Sequence, residues 1–330
     1  MKLGLYLSTQ FTPGTNVAAA SAQMLEQVQA ARQASFSSLW VPHHYATQPM
    51  QMLAPIPMLA HLAREAEGMQ IGANILVLPL LNPIHVAEDA VTLDLLSGGR
   101  YVLGVGIGYR EAEFNAFNVP LKERVQRFNE SIAIMRQLWT EDRVTYHGKI
   151  FNIEDLGIGL KPVRPSGPPI WIAGVVDAAV KRAARIGDAW LITNFAHLSV
   201  LVPQMKMYRE TLSELGKPFP DDVPITRECY IGPTRERAIA ECRAALEYKY
   251  GAYSSWGLDK QSKGAESFDQ PFEQFIEDRF IIGDKASVKE EIARYHDLLG
   301  VNHFIMRVQW PGLEHSRVMR TITSLGEILA

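Results

Sequence analysis

Leu93–Phe114, LDLLSGGRYVLGVGIGYREAEF, runs a helix end, a buried strand and a glycine-rich loop together with no spare residues. Ser97, Gly98 and Gly99 stop the helix, because paired glycines accept the left-handed backbone of a C-cap. Tyr101–Val105 is too short and too apolar for anything other than a buried strand. Gly104, Gly106 and Gly108 keep side chains away where that strand ends, so a flat or phosphorylated ligand can lie against bare backbone. The spacing departs from the dinucleotide fingerprint, whose third glycine belongs one place later, where this chain has Tyr109. No acidic residue follows at the expected distance either, which makes a Rossmann domain a poor fit.

Outward from this stretch, short β-rich apolar runs alternate with amphipathic ones, the pattern of a parallel sheet covered by helices. Eight strands are predicted, at Leu3–Leu7, Ser38–Val41, Gln70–Leu78, Tyr101–Val105, Pro169–Ala173, Asp188–Ile192, Pro224–Ile231 and His303–Val308. The intervening helices are expected at 18–34, 55–67, 84–96, 125–138, 177–186, 198–215, 234–250 and 285–299, with 315–325 closing the chain. Eight such units suit a (β/α)8 TIM barrel, read as one domain over residues 1–330. Insertions follow strands four and seven. Glu141–Pro168 reads as a hairpin with a Pro-rich link. Gly251–Arg279 carries Tyr253, Trp256, Phe268, Phe272 and Phe275, either as a lid over an opening or as a surface excursion packing its own aromatics.

Composition fits a globular enzyme with a large core, since 47% of residues are hydrophobic and 21% charged. With 33 basic and 36 acidic residues the formal net charge is −3, which offers no broad basic surface for nucleic acid. Cys229 and Cys242 form no CxxC pair and read as reduced thiols of a cytoplasmic protein. No run is apolar enough for a signal peptide or a membrane span.

In a barrel of this kind the chemistry belongs at the C-terminal ends of the strands. His43 and His44 lie there, after strand two, and imidazole exchanges protons readily near neutral pH. One of them is a candidate general acid or base; the alternative is a histidine that only bonds backbone at a strand end. Nothing among the other histidines has metal-site spacing, so no metal is expected. Pro169–Ala173 runs through Gly174, Val175 and Val176 into a helix for which Asp177 is the expected N-cap. Backbone amides at that helix start are suited to a phosphate.

With those residues in place, the chain resembles the bacterial luciferase-like family of flavin- and deazaflavin-dependent oxidoreductases. The resemblance rests on LWVPHHY at Leu39–Tyr45, GANILVLPLLNPIHVAED at Gly72–Asp89, Leu93–Phe114, KPVRPSGPPIWIAG at Lys161–Gly174, RAARIGDAW at Arg182–Trp190 and Phe280–Trp310, in the family's order. It implies the same barrel, with His44 as the active-site histidine. An acidic residue usually precedes that histidine, whereas His43 stands there in this chain. The resemblance also implies a non-proline cis peptide at Asn74–Ile75 against which a flavin ring leans. It further implies a cofactor phosphate held by Gly106, Gly108, Gly174, Val175 and Val176. Many FMN-using members carry an arginine between the second and third glycines of the loop, and here Ile107 occupies the place; Arg110 and Arg227 are the candidates to replace it.

The resemblance thus leads to a monooxygenase that uses reduced FMN and oxygen on an apolar small molecule, with a separate flavin reductase as supplier and a homodimer as assembly. Met50, Met52, Tyr253, Trp256 and Trp310 are the candidate substrate-binding residues. Deazaflavin-dependent hydride transfer is the alternative, which the glycine loop without arginine favours. A flavin-binding protein without catalysis, and an unrelated barrel hydrolase or lyase built on His43 and His44, are the remaining readings.

Overall fold

The computed structural model describes residues 1–258 and 270–329. The stretch beginning at Leu93 separates into the expected parts. A helix, Pro83–Leu96, ends where the Ser97 amide bonds the Leu93 carbonyl (2.9 Å) and the Gly99 amide bonds the Asp94 carbonyl (2.8 Å). The strand Tyr101–Gly106 follows, buried throughout.

Eight parallel strands form the barrel: β1 (Lys2–Tyr6), β2 (Ser38–Val41), β3 (Gln70–Ala73), β4 (Tyr101–Gly106), β5 (Ile170–Ala173), β6 (Ala189–Leu191), β7 (Pro224–Ile231) and β8 (His303–Arg307). Ladders join them in the order β6-β5-β4-β3-β2-β1-β8-β7. The ring closes where Ile192, just past β6, bridges Ile225 in β7; its amide bonds the Pro224 carbonyl (3.1 Å) and its carbonyl accepts from Thr226 (2.9 Å). Strand three is shorter than expected. It stops at Ala73 and resumes as Leu76–Val77, with a cis peptide bond between Asn74 and Ile75.

Three further pairings decorate the ring. Ile281–Gly283 adds a short parallel strand to the end of β7, and three residues are too few to announce it in sequence. Val144–His147 and Asn152–Leu156 form the hairpin expected after β4, and Gln10–Phe11 pairs with Gln51–Met52 to tie the first two loops together.

Two hydrophobic layers hold the barrel. Outside the strands a large cluster packs them against the helices, and inside it Tyr6, Trp40, Val102, Trp171, Leu191 and Ile305 fill the lumen. Trp40 and Trp171 stack with ring centroids 4.9 Å apart. Gly104 makes the wall tight enough for this: a Cβ there would lie 2.0 Å from the Ala73 carbonyl oxygen, so only glycine lets β3 approach β4. At the N-terminal floor, Ser38 Oγ accepts from Trp40 Nε1 (2.8 Å) and lies 2.6 Å from His303 Nε2, with Asp222 3.4 Å from His303 Nδ1. That order of residues resembles a nucleophilic triad, but Ser38 and His303 are fully buried at the end of the barrel away from the chemistry. They fasten the floor.

Both cysteines are buried and free. Among the described residues no helix is long and apolar enough to cross a membrane.

Candidate functional site

The loops after β2, β3, β4, β5 and β6 surround one cavity at the C-terminal mouth of the barrel. His44, Asn74, Ile75, Gly106, Gly108, Gly174, Val175, Val176 and Tyr253 all line it, although they come from five separate segments of the sequence. Met50, Met52, Trp256 and Trp310 stand outside that lining. Trp256 nevertheless sits beside it, its ring centroid 5.5 Å from that of His44. Met52 faces a neighbouring cleft and Met50 is buried, whereas Trp310 is fully buried with its indole N–H donated to Glu228.

His44 is held from a distance. Its Nδ1 lies 3.0 Å from Oε1 of Glu113, a fully buried carboxylate on the short helix Glu111–Ala116 that follows the glycine loop. The same oxygen accepts from the Tyr45 amide (2.8 Å), and Arg110 stands 3.8 Å away. Burial works against the charge of Glu113, but the His44 hydrogen bond and charge, the Tyr45 amide and Arg110 outweigh it and hold the carboxyl below the usual range. The carboxylate missing from position 43 is therefore supplied by another loop. A helix of six residues carries too little periodicity to be recognised in sequence, and the residue it delivers is missed with it.

His43 behaves differently from its neighbour. Its Nδ1 accepts from the Val77 amide (3.2 Å), and burial, reinforced by the charge of His44, lowers its pKa to about 4. At neutral pH it is an uncharged imidazole that bonds backbone at a strand end. Of the two histidines, only His44 combines access to the cavity with a carboxylate partner.

An aromatic wall closes over His44. Tyr109, Tyr253 and Trp256 approach it with ring centroids at 6.0, 5.7 and 5.5 Å. Trp256 is braced by the Arg110 guanidinium, 4.2 Å from its ring centroid. This wall grows from the helix Arg235–Ser255, which runs five residues past its expected end, so the insertion after β7 begins as a cover. Its later part packs its own aromatics, with Phe272, Phe275 and Phe280 clustered around Tyr250. Both readings of the insertion hold for different parts of it; Phe268 lies outside the described residues.

Around the β4 and β5 loops the cavity combines free backbone amides with a guanidinium. The helix Asp177–Ile186 begins there with Val176, not Asp177, as its N-cap, so no side chain caps its first amides. The Asp177 carboxylate instead accepts from Gln204 (3.1 Å). Neither arginine suggested by the sequence serves this end. Arg110 donates to the Tyr45 and Ala46 carbonyls (2.6 and 2.9 Å), and Arg227 is buried on the carbonyls of Thr193, Thr226 and Ala196. Among the described residues a third arginine, Arg124, lines the cavity near Gly108 from the first residue of the helix Arg124–Thr140. Its guanidinium lies 3.5 Å from the Gly108 carbonyl. Nothing local in the sequence marks it, because it reaches the loop from sixteen residues further along.

Asn74 anchors the middle of the cavity. Its carbonyl accepts from the Tyr6 hydroxyl (2.9 Å) and its side-chain amide donates to Thr226 (2.7 Å), while Ile75 packs against Gly106. Several buried polar atoms of residues in the lining lack a protein partner: the Tyr109 hydroxyl, the Thr193 hydroxyl and Glu113 Oε2. Orphaned groups of that kind are what a polar ligand satisfies.

The comparisons with known proteins agree with this layout. The family model described as luciferase-like monooxygenase matches residues 1–302. An F420-dependent glucose-6-phosphate dehydrogenase of Amycolatopsis mediterranei is 26% identical over 309 residues, 90% of each chain. An uncharacterized protein, y4vJ, of Sinorhizobium fredii is 30% identical over 169 residues, so that this match spans 51% of the present chain and 48% of the relative. Among solved structures, the monooxygenase RslO1 of Streptomyces bottropensis is similar with a TM-score of 0.84 at 20% identity, over 100% of this chain and 98% of that one.

Proposed function

This chain belongs to the luciferase-like monooxygenase family, and from that premise we propose that it is a flavin-dependent monooxygenase using reduced FMN and oxygen on a small organic molecule. The observation that carries the choice of FMN is Arg124. The loop has Ile107 where many FMN users have arginine, yet a guanidinium and an uncapped helix start meet at the same end of the cavity. Together they offer the charge and the amide donors that a phosphate monoester needs. The bare glycine loop, with Ile75 against Gly106, leaves a face on which a planar ring fits.

When bound, the reduced flavin would supply the electrons that activate oxygen. The work of the chain's own residues is to orient, to move a proton and to exclude water. Glu113 bonds Nδ1 of His44 and so fixes the ring, leaving Nε2 to give or take a proton at a molecule in the cavity. Tyr109, Tyr253 and Trp256 close over that nitrogen and keep water from it. Asn74 and Ile75 support the ring, and Gly106, Gly108, Gly174, Val175 and Val176 take the phosphate end with Arg124. Tyr253 and Trp256 contact the substrate in this reading, while Met50, Met52 and Trp310 act on the pocket from behind. Reduced FMN is supplied by a separate reductase. Oxygenated product formed from a candidate substrate with reduced FMN and oxygen, and lost in His44→Ala, supports the assignment, and reduced FMN that yields only hydrogen peroxide with every candidate substrate rejects it.

A second reading keeps the site and exchanges the coenzyme for deazaflavin F420. Ile107 favours it, as do the F420-dependent glucose-6-phosphate dehydrogenases to which the chain is similar over nine-tenths of its length. In that reading His44 would accept the hydroxyl proton of an alcohol, and the coenzyme, when bound, would supply the two-electron acceptor for its oxidation. Binding of one coenzyme and not the other separates the two.

A further inference from the structure

Lys249 and Arg307 line the cavity on its β7, β8 and β1 side, across the ring from Arg124 and the β4 and β5 loops. Both are 1% exposed. Behind them, and outside the lining, Glu228 of β7 accepts from Lys249 Nζ, the Tyr250 hydroxyl (2.9 Å), Asn194 and the Trp310 indole, and lies 4.0 Å from Arg307 Nε. Arg307 also donates to Ser8 (3.3 Å) and Gln10, and its guanidinium stands 4.9 Å from the Tyr6 ring centroid.

Among the described residues at this end, two buried cations therefore share one carboxylate. Glu228 lies outside the cavity lining and the two cations belong to it, so at this edge of the cavity positive groups outnumber negative ones by one. An unmatched buried charge is costly, and the fold responds to it. Burial and the charge of Arg307 together bring the Lys249 ammonium down to about 7 in spite of Glu228. The other charged or titratable groups of the cavity lining are Tyr250 and Tyr253 on its own helix, Tyr6, His43, His44, Tyr109 and Arg124, and Glu113, whose charge is already met by His44 and Arg110. One negative charge from a ligand would balance the site.

We propose that Lys249 and Arg307 form a subsite for a singly charged organic oxyanion, a carboxylate in the simplest case. The substrate is then an apolar body lying under Tyr253 and Leu258 with an anionic head on Lys249. This deepens the proposed function and rests on it for the coenzyme at the opposite side, but binding of the anion needs no coenzyme. The test titrates 2-naphthoate and its neutral amide, 2-naphthamide, into the coenzyme-free full chain by calorimetry. Naphthoate is expected to bind at least tenfold more tightly than the amide, and Lys249→Met to abolish the preference. Because that variant leaves Glu228 short of a buried partner, Lys249→Met/Glu228→Gln is prepared beside it; there Arg307 is again unmatched, and the preference for naphthoate is expected to return. The wild type is also titrated at pH 7.5 in two buffers of different ionisation enthalpy. Naphthoate is expected to bring proton uptake there, which the double variant lacks. Equal affinity for acid and amide in the wild type, or a preference that survives in Lys249→Met, overturns the subsite. FMN titrated separately into the wild type distinguishes the failures. FMN binding without the naphthoate preference removes the subsite alone, whereas the preference without FMN binding supports the subsite and removes the coenzyme reading.

Discussion

His44 Nδ1 lies 3.0 Å from Glu113 Oε1, although 69 residues separate the two in the chain. The pair fixes one ring nitrogen, and in the proposed function the other meets the ligand. Glu113→Gln keeps the shape and removes the charge. It is expected to lower kcat on the order of 100-fold, as loss of an orienting carboxylate does in other His-dependent sites, with a much smaller effect on coenzyme affinity. Steady-state kinetics and a coenzyme titration on the same preparation check both halves.

Arg124 provides a second, separable expectation. Removing a charge-assisted contact to phosphate costs about 1.5–3 kcal/mol, so Arg124→Gln should weaken FMN binding by roughly 10- to 100-fold. Riboflavin, which lacks the phosphate, should bind both proteins alike. A variant that loses FMN and riboflavin affinity equally would show that Arg124 only shapes the loop.

His43 makes the fold sensitive to acid. Its pKa is lowered to about 4 by burial, from an ordinary value of 6.5. Between those values the unfolded chain binds a proton that the folded chain does not, so stability rises with pH through this window and is lost as pH falls from about 6.5 towards 4. The full loss is about 3 kcal/mol. Urea denaturation at pH 7 and pH 5 should show a decline in the wild type that His43→Gln reduces.

Gly108 tests the loop itself. It sits at φ +70°, and a Cβ there would lie 2.5 Å from Val77 Cγ1 and 3.0 Å from the Phe114 ring. Gly108→Ala is expected to destabilise the protein by roughly 1–3 kcal/mol, read as a lower Tm, and to disturb FMN binding as well.

Much of the barrel is legible in the chain because its strands are short apolar runs bounded by turns. Ser38–Val41 and Pro224–Ile231 occur with the boundaries their composition predicts. Strand three does not, since Leu76–Val77 is as apolar as the strand before it and the interruption at Asn74–Ile75 is a backbone event without a local composition signal. The site is only half legible. His44 and the glycines announce themselves by type and position. Glu113 and Arg124 are ordinary helix-start charges in sequence, and only the folding of β4's loop against β2 and β5 gives them a role. The N-cap shows the limit from another side. Asp177 has the composition of a cap, but Gln204 takes its carboxylate, and the first turn is left open for a ligand.

The central claim is that this cavity holds FMN, and a visible-light difference titration of the purified protein with FMN and with F420 tests it most directly. The account predicts a saturating FMN spectrum at one coenzyme per chain, with substrate-dependent oxygen uptake once the bound flavin is reduced. An FMN spectrum that never changes, while F420 binds and saturates, would contradict it.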